Sequence, residues 1–361
     1  MSELNTVVEM AEKAEAAKEW SKAIEAYRLA LELEQHPDWW FRLGNNAERV
    51  KDYALAKEAY QAYLSLQSEK DPVAHALLEM SSVDIASRFI LLKYLRIKLP
   101  DLQQRVLSNK SSQSGEPKLF IYWDAGFDRA PAVVRACYRE MLTKHERNQV
   151  VVLDADTWRY YVTIPRHVVD KVLNQNKNQI HFSDVLRTAL LARYGGIWAD
   201  ATCMVTKNIV SMFGDISKSG FFSYNYDVAR ISSWFLCSSG DNYIAKMMFE
   251  ALCEYWNDFD KQINYYIFHY IFEILYYLDE RFRKIWDEST KARSCDAHTM
   301  QNHMMTEYKK DAFDKMLQVS AVQKLTYKFN PDDITPDSVI AHIIRGDYCG
   351  AETGAFQKKP N

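Results

Sequence analysis

Cysteine is sparse and scattered: the chain has six, and no two of them stand in a C-x-x-C spacing. That argues against both a zinc knuckle and a disulfide framework and fits a reducing compartment, so the cytoplasm is the expected location, with peripheral attachment at the inner membrane face as a variant of it. Neither sign of charge dominates. Lys and Arg total 45 against 48 Asp and Glu, a formal net charge of −3, which speaks against general nucleic-acid binding and leaves only a local basic face open. Long apolar runs are also missing. The greasiest stretch, Tyr265 to Leu278 (YYIFHYIFEILYYL), contains His269 and Glu273 and falls short of the ~20 residues that span a bilayer, so no transmembrane segment is expected. It reads as a buried helix, with a membrane-surface helix as the alternative. No basic stretch followed by an apolar core opens the chain, so no secretory signal is expected. What is present is 361 residues, 48% hydrophobic and 13% aromatic, enough for a sizeable core and for two domains.

The most informative stretch is His181 to Cys203, HFSDVLRTALLARYGGIWADATC. Ser183 is a suitable N-cap, Asp184 an acid in the first turn, and Leu186, Ala189 and Leu190 recur at helical spacing. Gly195 and Gly196 supply the stop, because the residue past a helix end usually needs positive φ. Ile197-Trp198-Ala199 then suits a short strand ending in Asp200. Asp184 and Arg187, three apart, share a helix face, while Asp200 sits at a strand's carboxyl tip, where open α/β sheets bind ligands. The plain alternative is an N-cap, a surface ion pair worth under ~1 kcal/mol, and a turn acid.

Two N-terminal segments repeat each other. Trp20, Ala23, Tyr27 and Ala30 align with Tyr53, Ala56, Tyr60 and Tyr63, and Trp40-Phe41-Arg42-Leu43-Gly44 precedes the second copy. The period is close to the ~34 residues of tetratricopeptide (TPR) repeats, which this region resembles over residues 4 to 67. Two repeats seldom stand alone, so the helical stretch from Pro72 to Leu107, interrupted at Pro100, is expected to add a layer. Such a unit offers either a surface for a protein partner or a helical cap. Ser108 to Pro117 (SNKSSQSGEP) reads as a linker, giving a helical domain over 1–107, a linker over 108–117 and a second domain over 118–361.

In the second domain, KLFIYW (118–123) and QVVVL (149–153) read as buried strands separated by a helix through Val133, Cys137 and Met141, a pattern of parallel sheet. Trp123 ends the first strand and is either a core residue or a platform for a base. Asp154-Ala155-Asp156 is a literal D-x-D after the second, and reads as a hard-cation site, a tip beside the nucleotide or simply a strand end. Gly220 to Asn225 and Ile231 to Cys237 read as further strands. Trp234 is either packed or a stacking surface for a sugar. Val339 to Ile344 reads as a strand carrying His342.

The order S-D-x-x-R, apolar residues, Y-G-G-I-W-x-D resembles the capsular polysaccharide synthesis glycosyltransferases, their relatives with an α-1,6-mannosyltransferase type of domain and, more remotely, large glucosylating toxins; segments 231–272 and 322–328 are similar to that family too. The resemblance implies an α/β, GT-A (Rossmann-like) nucleotide-sugar transferase domain, here preceded by an all-α TPR-like domain. It implies transfer of a sugar, with retention, from a nucleoside diphosphate sugar to a bacterial capsule polysaccharide or glycolipid acceptor. By resemblance, Asp184 and Arg187 hold sugar hydroxyls, Asp200 opens a D-x-D motif that binds ribose and Mn²⁺ or Mg²⁺, Trp123 stacks on the base, Lys324 contacts a phosphate, Trp234 meets the acceptor, and a C-terminal His342 completes the metal shell with Asp200 and Thr202. The motif here is Asp200-Ala201-Thr202, lacking the second acid. That departure supports the alternative of a catalytically inactive, repeat-bearing scaffold that binds nucleotide or a partner enzyme.

Overall fold

The computed structural model describes residues 3–109, 115–216, 219–226 and 230–348. The chain divides into two compact units, one made of Met1–Gln103 with Gln262–Glu280, the other of Gln104–Lys261 with Arg281–Asn361. The central part of the expected linker, residues 110–114, lies outside the described residues.

The first unit begins with four helices, α1 (Glu3–Ala16), α2 (Trp20–Leu33), α3 (Pro37–Arg49) and α4 (Tyr53–Ser65), packed as successive antiparallel neighbours. Ala23, Ala30, Ala56 and Ala59 are fully buried, which lets the helices approach closely. The two hairpins repeat one device. A buried tyrosine donates to a glutamate twelve residues earlier, Tyr27 to Glu15 at 3.0 Å and Tyr60 to Glu48 at 3.2 Å. Gly44 is required by the second of these, because a Cβ there would lie 2.8 Å from the Tyr60 ring. Two helices follow, α5 (Pro72–Met80) and α6 (Ile85–Ser108). The helical stretch expected from Pro72 is thus broken near Asp84, which adopts φ 55°, and not at the expected Pro100, which sits inside α6 and does not end it. Proline there removes only the N–H that would meet the Arg96 carbonyl, and the packed turns on either side carry the helix through. Glu48 accepts from the amides of Ile85 and Ala86, so it caps α6 as well as holding Tyr60.

The greasy run forms the Ile267–Leu278 helix, with Ile267, Phe268, Ile271, Phe272, Ile274 and Leu275 buried. It belongs to this first unit: Tyr270 donates to Asp84 at 2.6 Å and lies under the Arg88 guanidinium at 4.3 Å. Among the described residues, no helix is long and apolar enough to cross a membrane.

The second unit carries β1 (Leu119–Tyr122), α7 (Ala132–Lys144), β2 (Val150–Leu153), the Gln179–Tyr194 helix and β3 (Gly196–Ala199), followed by β4 (Cys203–Val205), β5 (Phe221–Asn225), β6 (Phe235–Ser238), β7 (Ala292–Arg293) and β8 (Val322–Lys324). Among the described residues the sheet order is β2-β1-β3-β6-β5-β7, with β4 and β8 forming a separate antiparallel pair. Strands β2, β1 and β3 are mutually parallel, but β6 runs antiparallel to β3, so the sheet is mixed where the sequence suggested a parallel one. The chain leaves β1 to one side to form β2 and returns to its other side to form β3. The carboxyl ends of β1 and β3 therefore flank a switch point, the place where such sheets bind ligands.

Candidate active site

The Gln179–Tyr194 helix sets the site. It begins a turn earlier than Ser183 suggested: Asn178 is the N-cap, accepting from the His181 amide at 3.1 Å, while Ser183 hydrogen-bonds back to the Gln179 carbonyl at 3.0 Å. The helix is buried on nearly all sides, Asp184 and Arg187 included. Its end is where the sequence placed it. Gly195 and Gly196 have φ of 67° and 89°, and a Cβ on either would lie 2.5 Å from neighbouring backbone, the Gly240 amide nitrogen and the Lys118 carbonyl oxygen. Only glycine meets both demands. β3 then starts at once, and Asp200 follows its last residue, fixed by an amide hydrogen bond to the Trp234 carbonyl at 2.8 Å.

Three elements converge on Asp200. Arg187 reaches its Oδ1 at 3.4 Å with the same Nη2 that lies 3.4 Å from Asp184. Trp198 donates its indole N–H to Oδ1 at 3.0 Å; residues two apart on a strand share a face, which puts this tryptophan beneath the acid. Lys324, last residue of β8, donates to Oδ2 at 3.0 Å and to the Thr202 hydroxyl at 2.6 Å. Arg187 is locked further by the carbonyls of Ser183 and Ser233 and sits 5.1 Å from the Trp198 ring.

The electrostatics separate the two acids. Burial pushes the Asp184 carboxyl up to about 7, against the pull of Arg187 and with a further push from Asp200. Burial opposes the charge on Asp200 too, but Lys324 and Arg187 outweigh it and hold that carboxyl below the usual range. Asp200 is also the accessible one, with 29% of its side chain exposed against 7% for Asp184. The arrangement is a rigid, nearly neutral cluster presenting an ionised carboxylate at the switch point, beside a carboxyl that can give or take a proton near neutral pH.

The other expected residues fall in different places. Trp123, just past β1, packs partly buried against the sheet core and meets the Tyr327 ring edge-on at 5.5 Å. Trp234 is 4% exposed, stacked on Tyr224 at 4.8 Å and bonded through its indole N–H to Tyr226, so it offers no open face for an acceptor. Asp154 caps its own turn: its Oδ1 accepts from the amides of Asp156 and Thr157 and from the Thr157 hydroxyl, at 3.0, 2.9 and 2.7 Å. Val339–Arg345 is a helix, not a strand, capped by Ser338 and ended by Gly346 at φ 76°. His342 on it stacks on Tyr308 at 4.0 Å and bonds to Asp347 at 2.7 Å, a setting separate from Asp200 and Thr202.

These residues do not fit a divalent cation. The oxygens of Asp200 and Thr202 that would share it are already bridged by the Lys324 ammonium, and Thr202 supplies only a neutral hydroxyl. Among the described residues, no group of three His, Cys, Asp or Glu side chains is gathered as a metal site.

Trp198, Ser233 and Tyr226 were not singled out from the sequence. Trp198 alone had a legible signal, an aromatic two residues before a strand-end acid.

The family model for capsular polysaccharide synthesis proteins matches residues 80–343, most of the chain and every residue of this cluster. The chain belongs to that family. No curated protein and no solved structure matches it. The matched span takes in most of the sheet-bearing unit and, from the other, most of α6 and the Ile267–Leu278 helix, so the family's characteristic sequence is not confined to the site.

Proposed function

We propose that this protein transfers a sugar from a nucleoside diphosphate sugar to a saccharide or glycolipid acceptor of capsule synthesis, with retention at the anomeric carbon. The observation that supports this best is the convergence of Asp184, Arg187 and Asp200 on the carboxyl end of β3, beside the end of β1. Transfer requires that the sugar be held while positive charge develops at its anomeric carbon and negative charge on the leaving diphosphate. Positioning and fixed charge can supply most of that without a side-chain nucleophile. Arg187 is too constrained to wander, so its remaining donor capacity is directed at a sugar hydroxyl. Asp184, near its midpoint at neutral pH, suits a second hydroxyl as donor or acceptor. Asp200 faces the ribose, and Trp123, past the neighbouring strand, faces the base. The helical hairpins would serve a protein partner or simply cap the enzyme, and the cytoplasm is the compartment in which nucleotide sugars are met.

The test is release of nucleoside diphosphate from a panel of UDP-, GDP- and CDP-sugars, with and without Mn²⁺. At least one donor should be turned over, and Arg187→Ala should abolish that turnover. Thr202 in the place of a second acid favours the scaffold reading, which would show as nucleotide binding without turnover of any donor. No binding of any nucleotide would contradict the transferase reading and leave only a scaffold that binds a partner enzyme.

A further inference from the structure

The register of the β4–β8 pair sets Lys324 opposite Cys203, and the Leu325 amide bonds to the Thr202 carbonyl at 2.9 Å, so β8 is anchored against the Asp200-Ala201-Thr202 turn. The Lys324 side chain, 16% exposed, ends with its ammonium between Asp200 Oδ2 and Thr202 Oγ1. That is the point at which a D-x-D motif would hold its cation. The charges agree with the exchange. Two carboxylates balance a divalent ion; one carboxylate and one hydroxyl balance an ammonium. A lysine ammonium has three donors. The two oxygens take two of them and leave the third for a ligand; the Trp234 ring centroid is 5.9 Å from Nζ.

We infer that Lys324 stands in for the metal: its ammonium binds the diphosphate of the donor, and the protein works without a divalent cation. The inference rests on the nucleotide-sugar reading above and specifies how that site neutralises its leaving group. As the bond between the anomeric carbon and the diphosphate oxygen breaks, its electron pair stays on that oxygen beside Lys324. The acceptor oxygen bonds the anomeric carbon, and the acceptor's proton passes to the departing diphosphate. Thr202 is then the hydroxyl that aims the ammonium, not a degraded ligand.

The experiment is nucleotide binding by EDTA-treated protein, followed by thermal shift and calorimetry with UDP, GDP and CDP, in EDTA and in excess Mn²⁺, together with Mn²⁺ binding by electron paramagnetic resonance. A nucleotide should bind equally well in both conditions, and Mn²⁺ should remain free in the presence of the protein. Lys324→Met keeps the packed aliphatic stem and removes the charge; it should weaken nucleotide binding on the order of tenfold or more, as expected for a lost charged hydrogen bond. Binding that requires Mn²⁺, or Mn²⁺ held by the wild-type protein, overturns the inference and leaves the transferase reading standing. Absence of nucleotide binding in both conditions overturns the transferase reading, and the inference with it.

Discussion

Two strands of the same sheet end in aspartate, and the two aspartates have different fates. Asp154 follows β2 and belongs to a literal D-x-D; Asp200 follows β3 and does not. Asp154 spends its carboxylate on three donors of its own turn. Asp200 is shared among a helix, its own strand and β8, and is flanked by two cations. Motif spelling favours the first and environment favours the second. The difference is topological: β3 lies at the switch point beside β1, whereas β2 is at the sheet edge, with its middle residue Val152 exposed.

The largest effect should come from removing the cation that Asp184 and Asp200 share. Arg187→Ala leaves Asp200 and the buried Asp184 without the cation they share, and about 3 to 5 kcal/mol of unfolding free energy should be lost, measured by urea denaturation. An unchanged midpoint would mean that the cluster is not the buried network described. Next, Asp200→Asn keeps size and one oxygen but removes the charge; donor turnover should fall on the order of a hundredfold or more with a smaller loss of stability. A change in the thermal midpoint as large as that of Arg187→Ala would assign Asp200 to the fold instead.

Asp184 gives the comparison a pH axis. Its folded pKa of about 7 is raised above the unfolded value of 3.8, so its contribution to stability is full below about 3.8 and is lost as pH rises through 7. Asp200 has the opposite sign: its folded pKa is lowered, so its contribution is present above 3.8 and lost only as pH falls through the folded value. Between pH 5 and 8 Asp184 is therefore the member of the pair that titrates, facing Arg187 and Asp200. Wild type should lose stability across that interval and Asp184→Asn should lose less of it; identical slopes would remove Asp184 from the account. The smallest effect belongs to the other strand tip. Asp154→Ala should cost about 1 kcal/mol through the lost turn cap, seen in thermal melting, and should leave donor turnover unchanged.

Much of this architecture was legible locally. The Gly195-Gly196 stop, the short strand after it and the acid at its tip follow from backbone conformations that glycine alone adopts readily. The alanine and tyrosine spacing of the N-terminal hairpins follows from helical periodicity. What failed had local competitors. Ser183 looked like a cap because serine commonly is one, yet Asn178 does that work and Ser183 bonds back along the helix. Val339–Ile344 is a short apolar run whose length fits either state, and the deciding signals, Ser338 before it and Gly346 after it, were both present. The Lys324–Thr202 contact spans 122 residues. No spacing rule reaches that far: resemblance named Lys324 as a phosphate contact, but its pairing with Asp200 and Thr202 follows only from β8 lying against the Asp200 turn.

The most direct measurement is donor turnover by Asp200→Asn and Asp154→Asn side by side, on whichever nucleotide sugar the wild-type protein consumes. Asparagine at 154 can still accept the turn's hydrogen bonds, so both variants should stay folded and the readout is chemistry. The account predicts that Asp154→Asn matches wild type while Asp200→Asn loses nearly all turnover. Loss of turnover in Asp154→Asn with Asp200→Asn intact would contradict it.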